Sequence, residues 1–352
     1  MKIIHASDIH LGSKIKSLKG KTKERRSEIR RSFMDMIEYA KKNDVKIILL
    51  SGDVFDLDTP VLGDKEFFYA AVREASNIDF LYLRGNHDKL ASSEEKEITN
   101  LKTFDSKWKT YSYDNIDITG VEINESNATS IYSSLSLNPD RINIVMLHGQ
   151  ESDASGEGLV NKIKLRNKNI DYLALGHIHS YKNVKLDDRG VLVYSGCLEG
   201  RGFDECGEKG FVLLDIDSKI DYTFIPISQR EILEVKIDLS NATSMHDVIK
   251  SIDEDFKENV NNIFRVILTG DVSFKLGEVI DDVNACLKKK NCYYFEVKDE
   301  TTKKINASDY EHDTSLKGEF IREVCASTLY TDDEKNEIII LGLKALEGRD
   351  LF

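Results

Sequence analysis

The sequence predicts an α/β protein, and three observations carry that prediction. Short apolar runs rich in Val, Ile and Leu recur through the first 225 residues. Segments whose apolar positions follow helical spacing lie between them. Several runs stop at Gly, Asp, Asn or His. Runs without alternation suit strands covered on both faces, and helical spacing between them marks crossover helices. An open sheet of this kind places its site beyond the carboxyl ends of the strands.

Each element follows in order. KIIHAS at 2–7 reads as the first strand, and Ile29, Phe33, Ile37 and Tyr39 give residues 24–43 a helical stripe. VKIILL at 45–50 is a strand that stops at SGD, residues 63–76 are helical, and IDFLYL at 78–83 is a strand that stops at RGNHD. TYSYDNIDITGVEI at 110–123 alternates like paired strands. INIVML at 142–147 runs into His148, and IDYLALGHIH at 170–179 repeats the pattern. VLVYSGCLEG at 191–200 and KGFVLLDI at 209–216 are further strands. Around Pro226 the pattern changes to a smaller α/β unit: strands at 231–239, 263–272 and 292–297, with helices at 244–258 and 275–289. Two amphipathic helices, 316–329 and 332–347, close the chain. The expected division is therefore 1–225, 226–300 and 301–352.

Composition narrows the function classes. A chain of 352 residues with 40% hydrophobic residues can bury a sizeable core. Nothing approaches the roughly 18 consecutive apolar residues of a membrane span, so no membrane is expected. MKIIHASDIHLG has no basic start followed by an apolar stretch, so export by a signal peptide is not expected. Five cysteines without CxxC spacing argue against a disulfide framework or a zinc ribbon and fit a reducing cytoplasm. The net charge of −13 argues against coating nucleic acid by global charge. Residues 14–31, beginning with Lys14 and Lys16, nevertheless carry nine basic side chains against two acidic ones. Such a local patch can guide a phosphate backbone, although a solvated loop and helix start would look the same.

The chemistry lies at the strand ends. Of eight histidines, His10, His87, His148, His177 and His179 directly follow strand-like runs, beside Asp8, Asp53, Asn86 and Asp88. A lone Asp-x-His is usually a satisfied polar pair. Five ligand-rich strand ends in one chain are not explained that way. In Asp8-x-His10 and His177-x-His179 the i and i+2 side chains share one face of an extended segment and can reach one cluster. Asp8, His10, Asp53, Asn86, His148, His177 and His179 offer carboxylate, imidazole and amide donors and no thiolate, which suits Mn²⁺, Fe²⁺ or Zn²⁺. Seven ligands are too many for one ion; two ions sharing a carboxylate would use them, and such pairs catalyse in-line displacement at phosphorus.

DIH, GDVFD, GNHD, HG and GHIH, in this order and spacing, resemble the five motifs of the calcineurin-like metallophosphoesterases over residues 1–200. Within that superfamily SDIHLG and SGDVFD are similar to the DNA repair exonuclease branch, which includes SbcD-, YhaO- and Mre-type nucleases. The resemblance implies a four-layer α/β/β/α sandwich for residues 1–225, then a small α/β cap and C-terminal helices. It implies two divalent ions, Mn²⁺ first and Fe²⁺, Zn²⁺ or Mg²⁺ as alternatives. Asp8, His10, Asp53 and His179 would hold one ion; Asp53, Asn86, His148 and His177 would hold the other. His87 would serve the leaving oxygen, and Asp56 would orient His87. Arg201, in the loop GCLEGRGFDECGEKG, is a candidate phosphate contact beside Lys14 and Lys16.

Three functions compete. The first is a two-metal nuclease hydrolysing DNA phosphodiesters from ends. The second is a phosphatase or phosphodiesterase for nucleotides or small phosphorylated molecules. The third is a scaffold subunit for a coiled-coil ATPase. The resemblance further implies DNA, an SbcC- or YhaN-like coiled-coil ATPase and a second copy of the chain as partners, the copies meeting through helices near 24–43 or 63–76.

Overall fold

The computed structural model describes residues 1–56, 61–86, 88, 95, 97–255, 261–272, 280–290, 292–303 and 310–346. The chain divides into two compact units, Met1–Leu233 and Glu234–Phe352. No helix among the described residues is long and apolar enough to cross a membrane.

The first unit runs β1 (Lys2–Ala6), α1 (Thr22–Lys42), β2 (Ile47–Ser51), α2 (Leu62–Glu74), β3 (Asp79–Leu83), β4 (Leu101–Thr103), β5 (Lys109–Tyr113), β6 (Ile116–Gly120), α3 (Ile131–Ser134), β7 (Ile142–His148), β8 (Gln150–Ser152), β9 (Leu159–Asn161), α4 (Lys162–Leu165), β10 (Tyr172–Gly176), β11 (Lys182–Lys185), β12 (Val191–Tyr194), β13 (Gly210–Ile216) and β14 (Ile220–Pro226). Two six-stranded sheets result, ordered β14-β13-β1-β2-β3-β4 and β11-β12-β10-β7-β6-β5. In the first, β1 to β4 are parallel and β13 returns antiparallel beside β1. In the second, β6, β7, β10 and β12 are parallel between antiparallel edges.

Side-chain alternation places the core. Ile3, Ile47, Leu49 and Leu81 of the first sheet meet Ile118, Ile144, Met146 and Ala174 of the second in one buried cluster, so the sheets pack face to face. Successive residues point to opposite faces. Val145, Leu147, Leu173 and Leu175 accordingly turn outward and pack with Ile131, Tyr132 and Leu165. On the far side of the first sheet, α1 and α2 bury Phe33, Met36, Ile37 and Phe68, and the Phe68 ring meets Tyr82 edge-on at 5.7 Å. This is the four-layer sandwich.

Its outer layer over the second sheet is thin, because α3 and α4 have only four residues each. Around 124–127 the Asn124 side chain accepts from the backbone of Ser126 and Asn127, and Asn127 accepts from the Asn124 N–H. These local bonds compete with the helical pattern.

The second unit takes up the chain within β15 (Ile232–Asp238) and continues through α5 (Met245–Asp255), β16 (Ile263–Thr269), β17 (Asp271–Val272), α6 (Ile280–Lys289), β18 (Tyr294–Asp299), β19 (Thr302–Lys303), α7 (Leu316–Ala326) and α8 (Asp332–Leu346). β15, β16 and β18 form a three-stranded sheet. The two C-terminal helices fall inside this unit, and the border between units lies at 233/234.

Candidate metal centre

β1, β2 and β3 of one sheet and β7 and β10 of the other carry Asp8/His10, Asp53, Asn86, His148 and His177/His179 at or just past their carboxyl ends. The loops after β1 and β2 are zipped together: Asp8 N–H donates to Gly52 O (3.0 Å), His10 N–H to Asp53 O (3.0 Å) and Leu11 N–H to Val54 O (2.8 Å). At four of the candidate donors the backbone is strained. Asp8, His10, Asp53 and His177 have φ of 52°, 51°, 52° and 102°. Non-glycine residues in such regions cost about 1–3 kcal/mol each and persist where surrounding structure enforces them.

Two glycines permit close approach, Gly52 to the facing sheet and Gly85 to the neighbouring loop after β2. Gly52 has φ 92°, and a Cβ there would lie 2.1 Å from His148 Nδ1. A Cβ on Gly85 would lie 2.1 Å from Asp53 Oδ1.

Two groups of donors form, with their ligand atoms within 4.8 Å of one another: Asp8, His10 and His179, and Asp8, Asp53 and His148. Asp8 is fully buried and belongs to both. The Nε2 atoms of His10 and His179 face each other at 3.2 Å. His148 Nε2 is buried without an aligned hydrogen bond, 3.4 Å from Asp53 Oδ2. His177 stands edge-on to His148, ring centroids 5.5 Å apart, and its backbone N–H donates to both Asp8 oxygens at 3.0 Å. Converging imidazole nitrogens and carboxylates, with one buried nitrogen lacking an aligned donor or acceptor, fit divalent cations.

Electrostatics agree with that fit. Burial works against a charged His148, but the Asp53 carboxylate prevails and raises the ring to about 9. Burial lowers His10 despite its contact with Asp56. Burial also works against a charged His179, yet the Glu205 and Asp8 carboxylates raise it. Desolvation and the neighbouring Asp53 charge push Asp88 up to about 6.

Each imidazole is oriented from behind. His148 Nδ1 lies 2.9 Å from the Ser51 carbonyl. His10 Nδ1 lies 3.2 Å from Asp56 Oδ1, and His179 Nδ1 lies 2.7 Å from Glu205 Oε1. Arg201 joins the last two, with Nη1 on Asp56 Oδ1 at 2.8 Å and Nη2 on Glu205 Oε1 at 2.7 Å.

Several expectations change. Asp56 contacts His10 and Arg201; its expected partner, His87, lies outside the described residues. Arg201 is half-buried and bridges two carboxylates, Asp56 and Glu205. Lys14 and Lys16 are exposed, but the basic stretch around them is depleted. Arg25 is fully buried on Glu28 and Glu199, while Arg26 and Arg30 pair with Asp64. Asn86 is exposed and lines a cavity of about 590 Å³ with Arg84, Glu122 and Glu157. Asp88 buttresses the turn, accepting from Val54 N–H (2.9 Å) and Phe55 N–H (2.8 Å). Glu205 escaped the sequence reading; its one signal was an arginine four residues earlier in a loop that follows a strand.

Comparison with known proteins agrees with this geometry. The family model described as calcineurin-like phosphoesterase matches residues 1–181, a span that reaches past His179. The DNA double-strand break repair protein Mre11 of Saccharolobus solfataricus is 25% identical, over 100% of this chain and 96% of that one. The protein of the same name from Sulfolobus acidocaldarius is 23% identical, over 96% and 94%. The uncharacterized metallophosphoesterase YhaO of Bacillus subtilis is 26% identical, over 72% and 67%. With the family model covering more than half of its length and every candidate donor, the chain belongs to the calcineurin-like phosphoesterase family and is a metal-dependent phosphoesterase.

Proposed function

We propose that the chain is a two-metal nuclease that hydrolyses DNA phosphodiester bonds from ends, with Mn²⁺ as its ion, in DNA repair. The observation that carries the reading is the pair of donor groups sharing Asp8; the names of the full-length relatives point the chemistry toward DNA. When bound, two divalent cations supply Lewis acidity at phosphorus and acidify a water. In this reading Asp8, His10, Asp53 and His179 hold one ion, and Asp53, Asn86, His148 and His177 the other. Asp56, in ionic contact with His10 Nδ1 at 3.2 Å, holds that ring with its Nε2 inward. His87 gives a proton to the leaving oxygen. Residues 1–225 form the catalytic domain, 226–300 a cap and 301–352 a helical region. The chain works in the cytoplasm as a homodimer with a coiled-coil ATPase of the SbcC type.

Metal-stripped protein is incubated with end-labelled duplex DNA and Mn²⁺, beside His87→Ala. The expected result is nucleotide-sized products from wild type alone, with Mn²⁺ still bound by the variant. Wild-type cleavage rates in His87→Ala would remove that residue from the mechanism.

One observation favours the small-substrate alternative. Arg25, Arg26, Arg30 and Arg201 are engaged by internal carboxylates, which leaves fewer cations for a duplex backbone. A small phosphodiester hydrolysed by a protein that leaves duplex DNA intact would decide for it.

A further inference from the structure

We propose that Arg201 is a positioning residue for the metal position built on His10 and His179, acting through Asp56 and Glu205. The inference rests on the two-ion reading and adds a residue to it. A histidine ligand presents one nitrogen to the ion and gives the proton on the other to an acceptor, which fixes tautomer and ring angle. Here a carboxylate stands behind each ring: Glu205 at 2.7 Å from His179 Nδ1, and Asp56 in ionic contact with His10 Nδ1 at 3.2 Å. Side by side, two such anions would repel each other and spread.

The Arg201 guanidinium lies between them. Nη1 reaches Asp56 at 2.8 Å, while Nε and Nη2 reach Glu205 Oε1 at 3.1 and 2.7 Å. Nη2 and His179 Nδ1 are 3.1 Å apart, both beside the same Glu205 oxygen. Asp56 and Arg201 lie 145 positions apart in sequence, so the fork ties the loop after β2 to the loop after β12. With the 3.2 Å approach of the two Nε2 atoms, five side chains close a ring: His10, Asp56, Arg201, Glu205, His179.

The ring is itself anchored. The Arg201 backbone N–H donates to Glu205 Oε2 at 2.7 Å, and buried Arg25 donates to the preceding Gly200 carbonyl at 2.6 Å. A planar fork with five donors can hold two carboxylates in fixed directions; a lysine ammonium is a point charge that cannot. His148 is oriented by a main-chain carbonyl instead. An Arg201 effect should therefore fall on one ion of the two.

The test titrates metal-stripped full-length protein with Mn²⁺ alone, by calorimetry, comparing wild type with Arg201→Lys, Glu205→Ala and Glu205→Gln. Wild type is expected to show two binding events. Arg201→Lys and Glu205→Ala weaken one of them about 10- to 100-fold and leave the other unchanged. Glu205→Gln, which keeps an oxygen acceptor for His179, recovers most of that loss. Equal weakening of both events, no weakening of either, or a glutamine no better than alanine would overturn the proposal. Arg201→Lys keeps a cation in the loop and decides the matter if the alanine variant does not fold. Wild-type protein that binds no Mn²⁺ would instead sink the two-ion reading.

Discussion

The two halves of the candidate centre are held in different ways. Behind His148 stands the Ser51 carbonyl, main chain of β2 in the facing sheet. Behind His10 and His179 stand side chains, Asp56 and Glu205, bridged by Arg201. A main-chain acceptor is insensitive to its own side chain and moves only with the sheet. An ionic ring depends on three residues from two loops, and any of them can be exchanged. The first half is rigid by topology, whereas the second is adjustable by substitution. Asp8 is the hinge of the comparison, because it belongs to both donor groups.

The largest effect follows from the carboxylate that the two ions would share. Asp53→Ala, which removes the carboxylate assigned to both ions, should abolish Mn²⁺ binding at both positions and lower phosphodiester hydrolysis by about 10³-fold or more, since a bound ion supplies several kcal/mol of transition-state stabilisation. His148→Ala should spare one ion. Metal content per chain in the two variants checks this: zero against one. An Asp53→Ala protein that keeps one ion would show that the halves are independent.

A second contrast concerns pH. Without metal, His148 is held at about 9 by Asp53, against burial, so folding favours its charged form. That pairing stabilises the metal-free protein fully below the ordinary histidine value of about 6.5 and is lost as pH rises through about 9. An ion must displace the same proton. Affinity at the Asp53–His148 position should thus climb about tenfold per pH unit between 7 and 9. Titrations at pH 7, 8 and 9 read the slope directly, and a flat profile would break the assignment.

The sequence showed the donors far better than what holds them. Asp8, His10, Asp53, His148, His177 and His179 each follow an apolar run that forms a buried strand, so periodicity and residue type marked them together. The orienting groups have no such signature. Glu205 sits in a glycine- and glutamate-rich loop, and its role exists only because two sheets bring that loop to His179. Arg25 looked like one cation of a basic stretch, yet long-range contacts with Glu199 bury it completely. The edge strand Lys182–Lys185 was missed for a related reason: all four of its residues are exposed, and charged edges discourage strand addition while hiding the apolar pattern. Local pattern reports burial and valence; it does not report which distant side chains will meet.

The smallest effect tests a relay on Asp8. Ser7 Oγ donates to Asp8 Oδ2 at 2.6 Å and lies 2.8 Å from Ser195 Oγ. Both serines are fully buried. Ser195 belongs to neither donor group and reaches Asp8 through Ser7, whose one hydroxyl proton goes to Asp8; the Gly196 carbonyl lies 3.2 Å from Ser195 Oγ itself. Ser195→Ala should therefore remove about one net hydrogen bond, about 0.5–1.5 kcal/mol of stability. That loss lowers the unfolding midpoint by a few degrees and Mn²⁺ affinity by less than about tenfold. In a double-mutant cycle, Ser7→Ala should mask Ser195→Ala, because residues acting in series are not additive. Full additivity would mean that Ser195 acts on the centre by another route, through the Gly196 turn that begins the Arg201 loop, and would join the relay to the ionic half.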